Sequence, residues 1–186
     1  VYITDFKGGV DFPKVWHEKC RMCFTEEDLL YTLNQLVAVL EYRKKALKEL
    51  GSPNIDAYNE TTENKLPRLI FACDEVAELL DRTGRGKEDK ERLAQIENKL
   101  ATLARLGRAF GIHLILATQR PDATIIPGQI RNNMDFRVCG RADNVLSQII
   151  LDNTSAAEQI PKDARGRFIT GDGTVFQGYL FDEGQL

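Results

Sequence analysis

The sequence predicts an α/β fold with a mainly parallel sheet, and three observations lead there. Two apolar runs, Leu69 to Cys73 and Ile112 to Ala117, the second interrupted only by His113, suit strands covered on both faces. Long segments of helical period separate the strand-like runs, the alternation expected of parallel strands joined by helices. Both apolar runs end in polar clusters, Asp74-Glu75 and Thr118-Gln119, at the edge where ligands bind in such sheets.

Taken in order, Val1 to Phe6 reads as a short strand, followed by a turn at Lys7-Gly8-Gly9. Thr25 can cap a helix whose first turn, Glu26-Glu27-Asp28, favours the positive end of the helix dipole. Leu29, Leu33, Leu36, Leu40, Leu47 and Leu50 then form an approximately helical stripe up to Gly51. Ser52 to Lys65 is polar and without clear period, so it reads as a surface connection leading to Pro67 and the Leu69 strand. Thr83-Gly84-Arg85-Gly86-Lys87 has the composition of a basic loop. Leu93, Ile96, Leu100, Leu103 and Ala104 mark a second long helix reaching Arg108, stopped by Gly111. Beyond the Ile112 strand, Phe136 to Cys139 reads as a strand and Asn144 to Leu151 as a helix. Gly166 to Thr170 and Val175 to Phe181 form a hairpin around Gly171-Asp172-Gly173.

Composition narrows the class. At 186 residues the chain is long enough for one well-buried core, and residues 1–186 are expected to form a single domain. A start at Val1, already strand-like, points to a piece of a longer polypeptide. The net charge of -3 excludes a body that binds nucleic acid by bulk charge alone, so any DNA contact must be local. No apolar stretch reaches bilayer length and no signal pattern opens the chain, so this portion reads as cytoplasmic. Cys73 and Cys139 lie in apolar runs, as small buried hydrophobes do. Cys20 and Cys23, with His17 three residues upstream, make half of a zinc pattern with no second half, and a structural role is the preferred reading.

The chemistry lies at the strand ends. A buried strand that delivers Asp74 and then Glu75 can hold Mg²⁺ through the first acid, while the second polarises a water for attack on a phosphoryl group. The bland alternative is an acidic helix start after a strand. Gln119 sits where a neighbouring strand can touch both the γ-phosphate and the attacking water through one amide. It can equally close a strand before Pro121. The Gly-rich loop with Lys, G-x-x-x-x-G-K-[ST], is absent from these residues. Gly86-Lys87 fails as a substitute, because Asp81 stands at the first Gly and Glu88 at the Ser or Thr. The phosphate loop, with its strand and helix, is expected just before Val1.

Asp5-Phe6-Lys7-Gly8-Gly9-Val10, Leu69 to Glu75, Gly107 to Leu114 and Leu116-Ala117-Thr118-Gln119-Arg120-Pro121 resemble the FtsK/SpoIIIE DNA translocases along nearly the whole chain. The run from Gly111 to Pro121 is specific to that family, and its surroundings are similar to FtsK-like proteins of Gram-positive conjugative elements. The resemblance implies a RecA-like P-loop NTPase core, here truncated before its first strand. It also implies ATP bound between the subunits of a hexameric ring around duplex DNA, and a parent that associates with a membrane through segments outside this chain. Asp74 and Glu75 match the family's Walker B acids, and Gln119 its sensor position. Arg108 matches an arginine presented to the neighbouring subunit's ATP, where a guanidinium neutralises charge on the transferred group. Arg137 is the alternate, and a helix-end cation is the plain reading of Arg108. Asp5 and Lys7 can line the nucleotide pocket or simply build their turn. DNA-facing cations are sought in Arg82, Arg85, Lys87, Lys90 and Arg92, and in Arg120 and Arg131. For the first group, interleaved with Glu88, Asp89 and Glu91, a solvated charged loop is the preferred reading. Two alternatives to a DNA translocase stand beside it: a non-catalytic binding or assembly module, and a RecA-like ATPase of a secretion system acting on protein.

Overall fold

The computed structural model describes residues 1–7, 12–119 and 126–180. The chain divides into two compact units, Val1–Thr118 and Gln119–Leu186.

The first unit is built on four parallel strands: β1 (Tyr2–Thr4), β2 (Arg21–Cys23), β3 (Leu69–Cys73) and β4 (Ile112–Leu116), in the spatial order β2-β1-β3-β4. Register aligns Thr4 with both Cys23 and Cys73, and Cys73 with Leu116, so the carboxyl ends of all four strands lie at one edge. From β1 the chain goes to β2 on one side, whereas from β3 it goes to β4 on the other. The gap between β1 and β3 is therefore the topological switch point, where open α/β sheets leave a crevice.

Between β1 and β2 runs α1 (Lys14–Lys19), and β2 leads into α2 (Glu26–Glu49). Thr25 starts α2 through a reciprocal capping box: its hydroxyl accepts from Asp28 N at 3.1 Å, and the Asp28 carboxylate accepts from Thr25 N at 3.1 Å. One face of α2 buries Leu29, Leu33, Leu36, Leu40 and Leu47 against α5 (Lys87–Leu106), which offers Leu93, Ile96, Leu100 and Leu103. Leu50, part of the expected stripe, is instead exposed where the helix ends. The Ser52 to Lys65 stretch is more than a connection. It holds α3 (Ile55–Thr61), capped by the Asn54 side chain on Ala57 N at 2.9 Å and anchored by buried Ile55 and Tyr58. Its two inward residues are too few to produce a visible period.

After β3, α4 (Val76–Leu80) begins at once, and α5 runs into a 3₁₀ turn at Gly107–Phe110. Gly107 is required there by close approach, since a Cβ would lie 2.6 Å from the backbone oxygen of Ile112. Gly107→Ala is expected to cost about 2 kcal/mol, because a backbone atom cannot swing aside as a side chain does. A urea midpoint unchanged from wild type would contradict this reading of the turn.

The second unit contains α6 (Gly128–Arg131), β5 (Val138–Cys139), α7 (Asn144–Leu151), α8 (Ser155–Gln159), β6 (Arg167–Thr170) and β7 (Val175–Gln177). Its antiparallel sheet has the order β5-β6-β7, and β6 and β7 form the expected hairpin. Cys139, Leu151, Ala156, Ile160 and Ile169 make its core. Buried Ser147 joins α7 to α8 by donating to Asn153 O at 2.8 Å and accepting from Ala156 N at 3.1 Å. Among the described residues, no helix is long and apolar enough to cross a membrane.

Candidate active site

At the switch point, the ends of β1 and β3 enclose a cavity of about 160 Å³ lined by Thr4, Phe6, Lys7, Glu26, Asp74, Glu75, Glu78, Leu79 and Arg85. By volume it is too small for a whole nucleotide. Apolar strands running into the site explain its position. Phe71 and Cys73 of β3 are buried, and Cys73, its thiol pushed up to about 12 by burial, sits inert behind the acids. Thr4 is fully buried at the carboxyl end of β1, beside the Cys73 thiol.

Asp74 and Glu75 are held out from the strand by one neighbouring residue. Ala117 N donates to Cys73 O at 2.9 Å and Ala117 O accepts from Val76 N at 2.9 Å, so the two acids bulge between these bonds. Glu75 adopts a left-handed backbone, φ 51° and ψ 47°, and opens α4. For a residue with a Cβ that conformation costs roughly 1–3 kcal/mol, a strain found most often at functional positions. The Asp74 carboxylate makes no hydrogen bond or ion pair among the described residues. Nor do three or more potential ligands converge there on a preformed metal cage. That arrangement fits Mg²⁺, which is bound through one or two carboxylates together with water and substrate phosphates.

The remaining residues of interest sort by position. Lys7 lines the cavity with the acids. Asp5 is buried and turned into its own loop, accepting from Lys7 N at 3.1 Å and Phe12 N at 3.3 Å, the turn-building arrangement. Arg108 is exposed on the 3₁₀ turn before β4, at the amino end of the sheet. A five-residue strand, roughly 16 Å, therefore separates it from the acids at the carboxyl end. Gln119 lies two residues beyond Ala117 and opens the second unit. Arg137 is bound within the second unit, donating to the Met134, Ile150 and Arg131 carbonyls and pairing with Asp152 at 2.6 Å.

Most cations of the basic loop are taken up by neighbouring acids. Arg82 pairs with Glu97, Arg85 with Glu26, and Arg92 with Glu26, Glu27 and Asp89, while Lys87 stands 3.9 Å from Glu91. Arg131 lies in α6, and Arg120 and Pro121, with Gly8 and Gly9, fall outside the described residues. In the His17, Cys20 and Cys23 group, His17 packs edge-on against Phe24 and the Cys23 thiol meets Thr32 Oγ1 at 3.2 Å. Burial raises the Cys23 pKa, which disfavours the thiolate a metal would need. Glu26, Glu78 and Arg85 were not singled out by sequence as cavity residues. Glu26 and Arg85 are 59 positions apart, and no local pattern marks their meeting.

Comparison with known proteins places the fold and the family. The FtsK/SpoIIIE family model matches residues 4–123. The DNA translocase FtsK of Chlorobaculum tepidum is 37% identical over 130 residues, covering 69% of this chain and 15% of that protein. Its counterpart in Chlamydia pneumoniae is 36% identical over 135 residues, covering 65% of this chain and 16% of the relative. The chain thus spans about a sixth of the length of these relatives. Among solved structures, the pCW3 conjugation coupling protein TcpA, in a monomer form with ATPγS, matches with TM-score 0.92 and 40% identity over 99% of this chain and 53% of that one. EssC (ATPases 2 and 3) from Geobacillus thermodenitrificans shares the fold, with TM-score 0.69 at 21% identity over 94% of this chain and 32% of that one. The mainly parallel sheet with flanking helices is thus that of P-loop ATPase domains, and the chain belongs to the FtsK/SpoIIIE family.

Proposed function

We propose that this chain is the metal-holding and water-activating part of an ATP-hydrolysing DNA translocase motor that serves the transfer of a conjugative or integrative element. The observation that carries the reading is the cavity at the β1/β3 switch point, where Asp74 offers an unengaged carboxylate beside Glu75. Similarity to a conjugation coupling protein over 99% of the chain supports the conjugative role.

In this reading Asp74 is the residue that holds Mg²⁺, which when bound neutralises charge on the phosphates and orients them. Glu75 takes the proton of the attacking water. Its left-handed backbone is fixed by α4 on one side and the Ala117 bonds on the other, so the carboxylate is positioned before substrate arrives. Lys7 adds a cation to the same cavity and favours an anionic ligand there. Asp5 shapes the loop that carries Lys7. Gln119 is assigned to sense the terminal phosphate and the water through its amide. Arg108, a strand length from the acids of its own chain, is assigned to the ATP of a neighbouring subunit, which calls for a ring such as a hexamer. The phosphate-gripping loop is supplied by the longer protein, as is any membrane attachment. β4 is an edge strand of the described sheet, and a further strand pairing with it would bring that loop to the carboxyl ends.

The test is ATP hydrolysis by the full-length protein with and without duplex DNA. Hydrolysis is expected to rise several-fold with DNA of any sequence, and the rise should shrink as salt increases, because the contacts are to phosphates. A rate indifferent to DNA would sink the translocase reading while leaving the ATPase.

A further inference from the structure

Arg85 was a loop cation by sequence, but it is built into the cavity wall. Its Nε donates to the Asp81 carbonyl at 3.1 Å and its Nη1 to Glu26 Oε1 at 2.6 Å. Glu26 is itself fixed, because its other oxygen accepts from Arg92 Nε at 3.1 Å and it lies in the first turn of the capped helix α2. Both Glu26 and Arg85 are largely withdrawn from water, with side-chain exposures of 18% and 31%. One edge of the guanidinium is thus pinned, and among the described residues Nη2 makes no hydrogen bond.

A planar cation held by one edge with donors to spare is arranged to meet an oxyanion without paying to order its side chain. The cavity supplies the complement. It holds four carboxylates, Glu26, Asp74, Glu75 and Glu78, against two cations, Lys7 and Arg85. A bare phosphate oxygen facing those acids needs a donor, and Arg85, paired with Glu26, is one of the two cations in the cavity wall. Arg85 also shares the cavity with Glu75, so the phosphoryl group it meets is the one the activated water attacks.

We propose that Arg85 is a phosphoryl-contacting residue of the nucleotide site, acting on the terminal phosphoryl group of a Mg-nucleoside triphosphate in its own chain, and that Glu26 is its positioning partner. The proposal rests on the nucleotide reading above. It differs from an ion pair that only fastens the Asp81 to Gly86 loop to α2, because a fastener does not distinguish a triphosphate from a diphosphate.

Calorimetry on the full-length protein with Mg-ATPγS and Mg-ADP separates the two. Arg85→Ala is expected to weaken Mg-ATPγS binding by about ten-fold or more, the effect of losing a charge-assisted hydrogen bond, while Mg-ADP binding hardly moves. Glu26→Gln should give a smaller loss in the same direction, and the double variant should be no worse than Arg85→Ala, because Glu26 acts through Arg85. Retained Mg-ADP binding serves as the folding control. If Arg85→Ala misfolds, Arg85→Lys, which keeps the charge but loses the fork, should still lower the triphosphate preference. Equal losses for both nucleotides, or no loss for either, overturn the proposal. Asp74→Asn tests the underlying reading separately. If it leaves Mg-dependent binding of both nucleotides intact, or if wild type binds neither, the nucleotide site itself is wrong and this proposal falls with it.

Discussion

Glu75→Gln is expected to lower ATP hydrolysis by the full-length protein by about 10²- to 10⁴-fold, the usual worth of a positioned general base. The amide keeps the size and hydrogen-bonding reach of the carboxylate but cannot take the proton from water. Stability should be unchanged, since Gln pays the same left-handed backbone cost as Glu. Glu75→Gly separates the side chain from the backbone. Glycine adopts φ near 51° without a Cβ clash, so this variant should lose hydrolysis as Gln does while its thermal or urea unfolding reads the combined loss of strain and side chain. A variant that is more stable and inactive shows that strain is retained at Glu75 for its carboxylate. Wild-type hydrolysis in Glu75→Gln would show that another group activates the water.

Arg43→Ala is expected to destabilise the fold by about 3 kcal/mol or more. Arg43 lies inside α2 with 3% of its surface exposed, and its guanidinium donates to Pro67 O at 2.6 Å, Phe110 O at 2.7 Å and Gly111 O at 3.3 Å. It therefore ties the helix to the residues that lead into both β3 and β4. Burial lowers its pKa, but a guanidinium starts high enough to stay charged. Alanine would leave a void at a buried position of α2 and remove the donors to the Pro67 and Phe110 carbonyls, although Gly111 O would keep its bond from Leu69 N at 2.8 Å. Arg43→Lys should recover little, because a single ammonium cannot span carbonyls at two strand entries. Urea unfolding measures both variants, and a loss below about 1 kcal/mol for Arg43→Ala would mean the clamp is not needed.

Much of this fold was legible because long elements carry their own pattern. The Leu stripe and Thr25 cap gave α2, the runs at Leu69 and Ile112 gave the central strands, and Asn144 to Leu151 emerged with its bounds intact. Short elements stayed hidden. Strand β2 has three residues, begins with an exposed arginine, and exists because β1 pairs with it. Helix α4 has five residues directly after a strand, too few to show a period. Arg43 occupies the same face as Leu36, Leu40 and Leu47, so a charge on an apolar stripe was the available sign of a buried clamp. The acids of the site were legible as a strand end, whereas the Glu26 and Arg85 wall depends on tertiary contact between distant segments.

The two hydrogen bonds at Ala117 also have a mechanical meaning. Both polar groups of its peptide backbone grip the segment on either side of Asp74 and Glu75, while one residue further on the chain leaves for Gln119 and the second unit. Backbone linkages are short and stiff compared with side chains, which rotate to absorb displacement. Tension or torsion in the chain at Thr118 would therefore reach the Asp74-Glu75 segment through backbone bonds rather than side chains, and a change in that segment would be transmitted outward by the same lever.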